Sequence, residues 1–268
     1  MVTGVLAAAG WAVRPMEEPA WAAVKAEQPA LHLDSLKDAV GEGLTVGLLG
    51  GFRAILADFF WIKAHTEWAH SNLPQTQSWL RTVTAVDPRP LYFWLESARV
   101  MASDMPVWRI EKSGGGTKVP AGVKQGIIEQ QAEVALQYLD EALTYHPGST
   151  HVYVDIAQIY LSKFKDVATA AEYYHRAALV PDAPYFVSRD YAYLLHRLNR
   201  VQEAYEWLMK IYPTLPKAPG VPGEEHESPS LRQASDYQID SAQAEVVLGY
   251  IRDWEKELKV PEENRFKP

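Results

Sequence analysis

Two aromatic and two arginine side chains share one face of a predicted helix in the second half of the chain. Phe186, Arg189, Tyr193 and Arg197 are three, four and four residues apart, which places them on one side of an α-helix. Aromatic residues and arginine are enriched at binding hot spots. Because a guanidinium forms paired hydrogen bonds with a carboxylate, this face favours an acidic or C-terminal carboxylate partner. Packing of Phe186 and Tyr193 against the terminal helix is the alternative.

The other groupings that resemble chemical sites have the wrong spacing. Residues 113–118 (SGGGTK) lack the first glycine of a phosphate-binding loop, and no strand precedes them. His65 and His70 are five apart, whereas zinc-binding histidines on a helix are four apart. His146 and His151 flank a turn. Since no Gly-x-Ser-x-Gly or dinucleotide motif occurs, the sequence predicts no enzyme, cofactor or metal.

Three prolines divide the second half of the chain into similar units. Pro147, Pro181 and Pro216 are 34 and then 35 residues apart, and each ends an apolar helical run. A period of about 34 residues with two helices per unit is the tetratricopeptide repeat (TPR) signature. The sequence therefore predicts an all-α fold. We expect a TPR-like α-solenoid of about four helical hairpins with a C-terminal capping helix.

Small residues occur where paired helices must cross closely. Ala157 and Ala192 lie at the same place in successive units, and Ala204 lies in the second helix of the last unit. A position without bulk lets two helices approach each other. An antiparallel bundle is the alternative fold, but it does not account for the spacing of the prolines.

This register divides the chain into segments. We predict residues 1–13 as a possible signal or anchor remnant, 14–43 as a linker with short helices, 44–218 as repeats, 219–230 as a flexible loop and 231–258 as the capping helix. The predicted units are 57–90, 91–149 with an insertion near 106–124, 150–184 and 185–218.

The N-terminal region has two interpretations. Residues 2–13 form an apolar run that is too short for a bilayer span of about 20 residues but long enough for the core of a signal peptide. Either the start lies inside a longer signal or anchor, which we favour, or this is a short buried helix. Farther on, residues 34–40 predict a short helix capped by Asp34 or Ser35.

Residues 44–62 are the most hydrophobic stretch, yet they contain Arg53 and Asp58. Charges at the centre of a bilayer are costly, so we interpret this stretch as a packed first helix. Five residues put the two side chains about 140° apart on a helix, so each would need its own partner if buried. Asp38 or Glu42 are candidates for Arg53.

Composition narrows the class of partner. The 268 residues carry a net charge of −8, which argues against nucleic-acid binding. The absence of cysteine excludes disulfides and thiol catalysis. Apolar residues make up 47% of the chain, enough for a packed core.

Residues 50–65 (GGFRAILADFFWIKAH) and 87–105 (DPRPLYFWLESARVMASDM) resemble a family of bacterial TPR proteins. In that family a membrane segment precedes the repeats, and a helix with Phe-Arg and Asp-x-x-Trp opens the domain; Phe52-Arg53, Asp58 and Trp61 match here. The resemblance implies a scaffold anchored in the cell envelope. We expect it on the periplasmic side of the inner membrane, with the cytoplasm as the alternative.

In solenoids of this class the first helix of each unit lines a concave groove. By that similarity, the predicted groove residues are Asp58, Trp61, His65, Trp68, Tyr92, Arg99, Gln158, Phe186, Arg189, Tyr193, His196 and Arg197. We expect a non-enzymatic scaffold that binds a protein or peptide, associated with the membrane through its N-terminus. An accessory or assembly subunit of an envelope enzyme or secretion complex is the alternative. No oligomeric state follows from the sequence.

Overall fold

The computed structural model describes residues 52–215 and 231–268, and in the second range the side chains from residue 244. The predictions for residues 1–13, 14–43 and 219–230 lie outside the described residues. So do Asp38 and Glu42, the partners predicted for Arg53.

The described residues form helical hairpins that follow one another along the chain. Helices α1 (Arg53–Ala69) and α2 (Leu73–Val86) form the first hairpin. In the second, α3 (Leu91–Arg99) continues through a π-helical turn (Val100–Asp104) into α4 (Met105–Lys112), and α5 (Ala121–Tyr145) returns. The third consists of α6 (Thr150–Ile159), a π-helical turn (Tyr160–Phe164) and α7 (Val167–Ala178). The fourth consists of α8 (Tyr185–Arg197) and α9 (Val201–Ile211), which ends in the 3₁₀ turn Tyr212–Thr214.

A terminal helix follows the last hairpin. Helix α10 (Leu231–Glu257) packs on α8 and α9, and a short 3₁₀ turn (Glu262–Asn264) comes after it. Each helix packs mainly on its neighbours in sequence, and the two described ranges contain no strand. The predicted all-α, TPR-like solenoid of four hairpins with a C-terminal capping helix is confirmed.

The turns inside the hairpins use left-handed backbone. Ser71, Lys165 and Asn199 have φ of 52°, 60° and 61°, and each lies between the two helices of its hairpin. A residue in this conformation ends a helix and satisfies carbonyl groups of the last turn. Side-chain caps then start two of the helices, because Ser149 accepts from Val152 N and Asp166 from Thr169 N.

Close helix crossings recur at one alanine per hairpin. Ala64, Ala98, Ala157 and Ala192 are each no more than 1% exposed. They lie at matching places in the four first helices, where a larger side chain would separate the helix from its neighbours. The close packing predicted for Ala157 and Ala192 is what the structure has at these positions.

The predicted insertion near residues 106–124 is largely helical in the structure. The π-helical turn carries α3 directly into α4, and α5 begins at Ala121, so only residues 113–120 are non-helical. Met105 and Trp108 are buried within the main core, which also contains residues of α5. Arg109 Nη1 donates to Gln131 Oε1 at 3.2 Å and ties α4 to α5. Apolar contacts with α5 therefore stabilise a helix that the glycine-rich sequence nearby did not suggest.

The expected burial of both Arg53 and Asp58 is corrected. Asp58 is exposed, whereas Arg53 lies 3.9 Å from Asp87, whose side chain is 2% exposed. Arg89 Nε donates to the same carboxylate at 2.7 Å. The hairpin returns Asp87 to the start of α1, so the partner of Arg53 comes from the end of α2. Burial raises the pKa of Asp87, but the hydrogen bonds and charge of Arg89, with the charge of Arg53, lower it below its ordinary value.

Candidate partner-binding groove

The first helices of the hairpins border two adjoining clefts. Helices α1 and α3 face each other across the first cleft, and α3 and α6 border the second. Arg99 lines both clefts, so the two adjoin, and we call them together the concave groove. The second helices contribute fewer side chains to the lining, with Thr76 and Leu80 of α2 in the first cleft and Leu139 of α5 in the second.

The first cleft is aromatic on one side and charged on the other. Its empty volume is about 460 Å³. The indole Nε1 of Trp68 donates to Asp104 Oδ2 at 2.7 Å, across the cleft from α1 to the π-helical turn after α3. The His65 ring packs edge-on against Trp61 with a centroid distance of 4.9 Å. The lining residues are Trp61, Ala64, His65, Trp68, Thr76, Leu80, Glu96, Arg99, Val100 and Asp104.

One buried hydroxyl in the lining of this cleft lacks a partner. Thr76 is 0% exposed, and its Oγ1 has no hydrogen-bond partner among the residues that the structure describes. The alanines at the matching places in the third and fourth hairpins, Ala170 and Ala204, are also fully buried. A small residue is thus required there for packing, and threonine adds a polar atom that a ligand or water can satisfy.

The second cleft is more polar and has an empty volume of about 560 Å³. Gln158 Nε2 donates to the Tyr174 hydroxyl, and Lys163 Nζ to Ser103 Oγ at 3.4 Å. The lining residues are Ala98, Arg99, Ala102, Ser103, Leu139, Asp155, Gln158, Ile159, Ser162 and Lys163.

Both π-helical turns contribute to this surface. Val100 and Asp104 line the first cleft, and Ser103, Ser162 and Lys163 line the second. A π turn adds a residue to a helical turn and is frequent at functional sites. The two turns occur near the ends of the first helices of successive hairpins, so the same local geometry is repeated along the groove.

Burial and neighbouring charges shift the pKa values of two side chains in the groove. Burial, with a smaller effect from Glu96, raises the pKa of Asp155, His151 and Arg99 lower it, and the net pKa is about 6. Burial also lowers the pKa of Lys163, as does the charge of Lys165, against the opposing effect of Asp104. The ionised forms of both groups are therefore destabilised, and a partner with a complementary charge would stabilise them.

Five of the predicted groove residues line the two clefts. Trp61, His65 and Trp68 lie in the first, Gln158 in the second, and Arg99 in both. Their role as partner contacts stays a prediction.

Two further predicted residues lie outside the clefts. Tyr92 is exposed and packs edge-on against Trp61, at a ring-centroid distance of 5.5 Å. Asp58 is exposed and lines neither cleft.

The predicted residues of α8 are not brought to one site. Phe186 borders a separate pocket near Ile211, in the loop region between α7 and α8. Arg189 pairs with its neighbour Asp190 at 3.2 Å, and Tyr193 and Arg197 are exposed. Of these four residues, Phe186 and Arg189 have separate surroundings, and Tyr193 and Arg197 line none of the three pockets named here.

His196 belongs to the contact with the terminal helix. Its ring stacks on Trp254 with a centroid distance of 5.2 Å and an interplanar angle of 10°, and its Nε2 lies 2.9 Å from Glu257 Oε2. Packing against the terminal helix was the alternative considered for Phe186 and Tyr193. The structure instead places Ala192 and Leu195 in one apolar cluster with α10, beside the stacked His196.

Several cleft residues were absent from the sequence prediction. Ser103 and Ser162 lie in the π-helical turns, one turn beyond Arg99 and Gln158, and extending the helical register by one turn would have found them. No local signal identifies Thr76, whose place in the lining depends on the hairpin. Asp104 and Lys163 depend on the π turns. In the two described ranges, no group of three metal-ligating side chains occurs, and no helix is long and apolar enough to cross a membrane.

Comparison with known proteins adds little to this architecture. No protein-family model matches the chain, and no curated protein is a match. A solved structure described as "Functional Characterization of Pseudomonas Aeruginosa pilF" is similar over 79% of this chain and 94% of that chain, with 18% identity and a TM-score of 0.30. A superposition at that score carries no argument. The class of this protein, a TPR-like helical solenoid with a concave groove, rests on its own helix packing.

Proposed function

We propose that the chain is a non-enzymatic scaffold that binds a protein or peptide segment in the concave groove. The observation that carries this proposal is the joining of the two clefts at Arg99, with Trp61, Trp68 and the unpartnered hydroxyl of Thr76 in the first. Exposed tryptophan beside arginine is the composition of binding hot spots, and a groove along several helices suits an extended or helical segment.

The two clefts favour different parts of such a segment. The indoles of the first cleft lie beside the carboxylates of Glu96 and Asp104, which suits an apolar or basic anchor side chain. The second offers the Gln158 amide, the Ser162 hydroxyl and the ionisable Asp155, which suit polar groups. Arg189 pairs with Asp190, which reduces the charge that α8 offers an acidic ligand. We therefore propose α1 and α3, rather than α8, as the principal contact.

We also propose a location in the bacterial cell envelope. The support is the resemblance of residues 50–65 and 87–105 to envelope-anchored TPR proteins. Fractionation of the source cells, with detection of the full chain in membrane, periplasmic and cytoplasmic fractions, tests this location. Recovery in the cytoplasmic fraction alone would contradict it.

A displayed peptide library panned against the full chain tests the groove. Recovered peptides are then titrated by fluorescence anisotropy against the wild type and two double variants. Trp68→Ala with Arg99→Ala removes an indole and a guanidinium from the groove. Leu179→Ala with Arg176→Ala removes one exposed apolar side chain and one exposed arginine at α7, outside both clefts, as the matched control.

We expect the groove variant to weaken peptide binding by at least about tenfold, since hot-spot side chains contribute about 2 kcal/mol each. The control should bind like the wild type, and both should keep the wild-type urea midpoint because all four side chains are exposed. Peptides that bind equally to the groove variant would exclude this groove. Loss of binding only in the control would move the site to α7.

A further inference from the structure

Helix α1 presents an apolar stripe to solvent. Phe52, Ile55, Phe59 and Ile62 are 57%, 64%, 50% and 63% exposed, and their spacing of three and four residues places them along one side of the helix. We call these four residues the α1 stripe. The side chains that face the core of the first hairpin, such as Phe60 and Ala64, lie on another side and are buried. Large exposed apolar patches on a folded protein mark a contact surface.

Later hairpins show what covers this side of a first helix. The residues that match Phe59 by register are Phe93, Val152 and Val187, which are 7%, 0% and 0% exposed. Each lies in a helix that packs on the second helix of the preceding hairpin. Phe59, within the α1 stripe, thus occupies the position that is buried against a preceding helix in the three later hairpins.

The core clusters identify these covering helices. Phe93 shares a cluster with Val83 and Val86 of α2. In the same way, Val187 shares a cluster with Ala171 and Tyr174 of α7. Apolar side chains of the preceding helix therefore contribute to the burial of this position.

We propose that residues 31–40 (LHLDSLKDAV) of this chain dock on the α1 stripe in the place of that preceding helix. Leu33, Leu36 and Val40 recur at i, i+3 and i+7, which gives a helix one apolar side. Ten helical residues span about 15 Å, the same length as the stripe from Phe52 to Ile62. The α1 stripe does not line either cleft of the concave groove. The proposed docking can therefore be tested whether or not the proposed function is correct.

The connection between residues 31–40 and α1 is long enough for this docking. Twelve steps along the chain separate Val40 from Phe52, and an extended chain of that length reaches about 40 Å, ample to turn back along α1. Covalent attachment also gives the segment a high effective concentration at the stripe.

Cysteine cross-linking of the full chain tests the docking, because the natural chain contains no cysteine. Leu36→Cys is combined with Phe59→Cys or, in a second variant, with Ile55→Cys. The matched control combines Leu36→Cys with Tyr193→Cys, an exposed aromatic on α8. After mild oxidation we expect an intramolecular disulfide in the stripe variants and little in the control. Equal cross-linking at Tyr193 and at the stripe would overturn the proposal.

A labelling experiment gives a second, independent readout. The single variant Ile62→Cys is labelled with a maleimide in the otherwise natural chain and in a chain that also carries Leu33→Asp and Leu36→Asp. If the docked state is favoured by about ten to one, the aspartates should speed labelling about tenfold. The control, Tyr193→Cys with and without the aspartates, should label at one rate. An unchanged rate at Ile62 would overturn the docking.

Two other occupants are outcomes of the same experiments. Disulfides only between chains, with a mass that doubles as concentration rises, would assign the stripe to a second copy. Flotation with phosphatidylethanolamine–phosphatidylglycerol vesicles that Phe59→Asp abolishes, without an intramolecular disulfide, would assign it to a lipid surface. Either result would overturn the docking of residues 31–40.

Discussion

The two ends of the solenoid differ in how their apolar side chains are covered. At the C-terminal end, Ile251 and Trp254 of α10 are buried in one cluster with Leu208 of α9. At the N-terminal end, Phe59 and Ile62 of α1 are at least half exposed in the described part of the chain. Solenoid units contact only their neighbours, so each end needs a covering element. Helix α10 supplies it at the C-terminal end, and the proposed docking of residues 31–40 would supply it at the N-terminal end.

A buried carboxylate occurs at each end, but with different partners. Asp87 lies between two guanidinium groups, those of Arg53 and Arg89. Glu255 is 4% exposed, and its Oε1 accepts from the Tyr205 hydroxyl at 3.2 Å and from Phe266 N at 2.6 Å. The N-terminal carboxylate is thus held by charge within its own hairpin. The C-terminal one joins α9, α10 and the tail through neutral donors.

Weakening the packing of α10 on the C-terminal end should cause the largest loss in the free energy of unfolding. Trp254→Ala deletes a buried indole that stacks on His196 and Tyr250, and truncation of a buried tryptophan costs about 3–5 kcal/mol. We expect a corresponding fall in the free energy of unfolding, measured by urea denaturation. Arg252→Ala, an exposed neighbour on α10, is the control. An unchanged midpoint for Trp254→Ala would mean that α10 does not cover this end as described.

The ion pair of the N-terminal end should matter less than that cover. Asp87→Ala leaves the half-buried Arg53 without its carboxylate, which we expect to cost about 3 kcal/mol. The value is at the low end for a broken buried pair because Arg89 is 58% exposed and can be hydrated. Asp58→Ala removes an exposed carboxylate from the same hairpin and should leave the urea midpoint unchanged. A similar midpoint for Asp58→Ala and Asp87→Ala would contradict the assignment of the partner of Arg53.

The same pair predicts a pH dependence. Because the pKa of Asp87 is below its ordinary value in the folded state, its contribution to stability is present above the unfolded-state pKa. This contribution is lost as the pH falls through the lower, folded-state pKa. The pH profile of Asp87→Ala should therefore converge with that of the wild type in acid.

The smallest change in the free energy of unfolding is expected for Asp155, which lines the groove between the two ends. Burial raises the pKa of Asp155 to about 6. Between about pH 6 and pH 4, Asp155 is therefore mostly protonated in the folded state and mostly ionised in the unfolded state. This group therefore makes the protein more stable as the pH falls through that window. Asp155→Asn should add about 1–2 kcal/mol at pH 7, less than a two-unit shift implies because Asp155 is only partly buried.

Urea denaturation at pH 7 and pH 4 distinguishes this effect from those of the two ends. At pH 4 the Asp155→Asn variant and the wild type should have nearly equal free energies of unfolding. Glu133→Gln, an exposed carboxylate on α5, is the control and should show no difference at either pH. A gain in stability that persists unchanged at pH 4 would mean that the ionisation of Asp155 is not its cause.

Local sequence patterns were sufficient to predict the succession of helical hairpins. The apolar stripe around Ile156 and the alanine at 157 specify a helix that crosses its partner closely, and Ala192 repeats this in the next hairpin. Proline spacing identified the repeat because Pro88, Pro147 and Pro181 each lie two or three residues beyond the end of a second helix, and proline cannot continue a helix. Such features depend on residues a few positions apart, so the sequence alone predicts them.

The groove was predicted only in part because its N-terminal half depends on distant contacts. Trp61, His65 and Trp68 follow from helical register, but their neighbour Asp104 is 36 residues from Trp68 and reaches it through a π-helical turn. In α8 the same register reasoning assigned His196 to the groove. The terminal helix, 58 residues farther on at Trp254, covers it instead. A face shared within one helix does not determine which neighbour that face meets.

The sequence by itself determined the all-α class, the period of the hairpins and the small residues at their crossings, because these follow from local periodicity and backbone sterics. Only the tertiary structure decided that Asp87 is the partner of Arg53, that α4 is helical, and that the groove lies over α1, α3 and α6. Each of these depends on side chains brought together by chain reversal, and their burial or pairing free energy is set by neighbours that no short stretch of sequence contains.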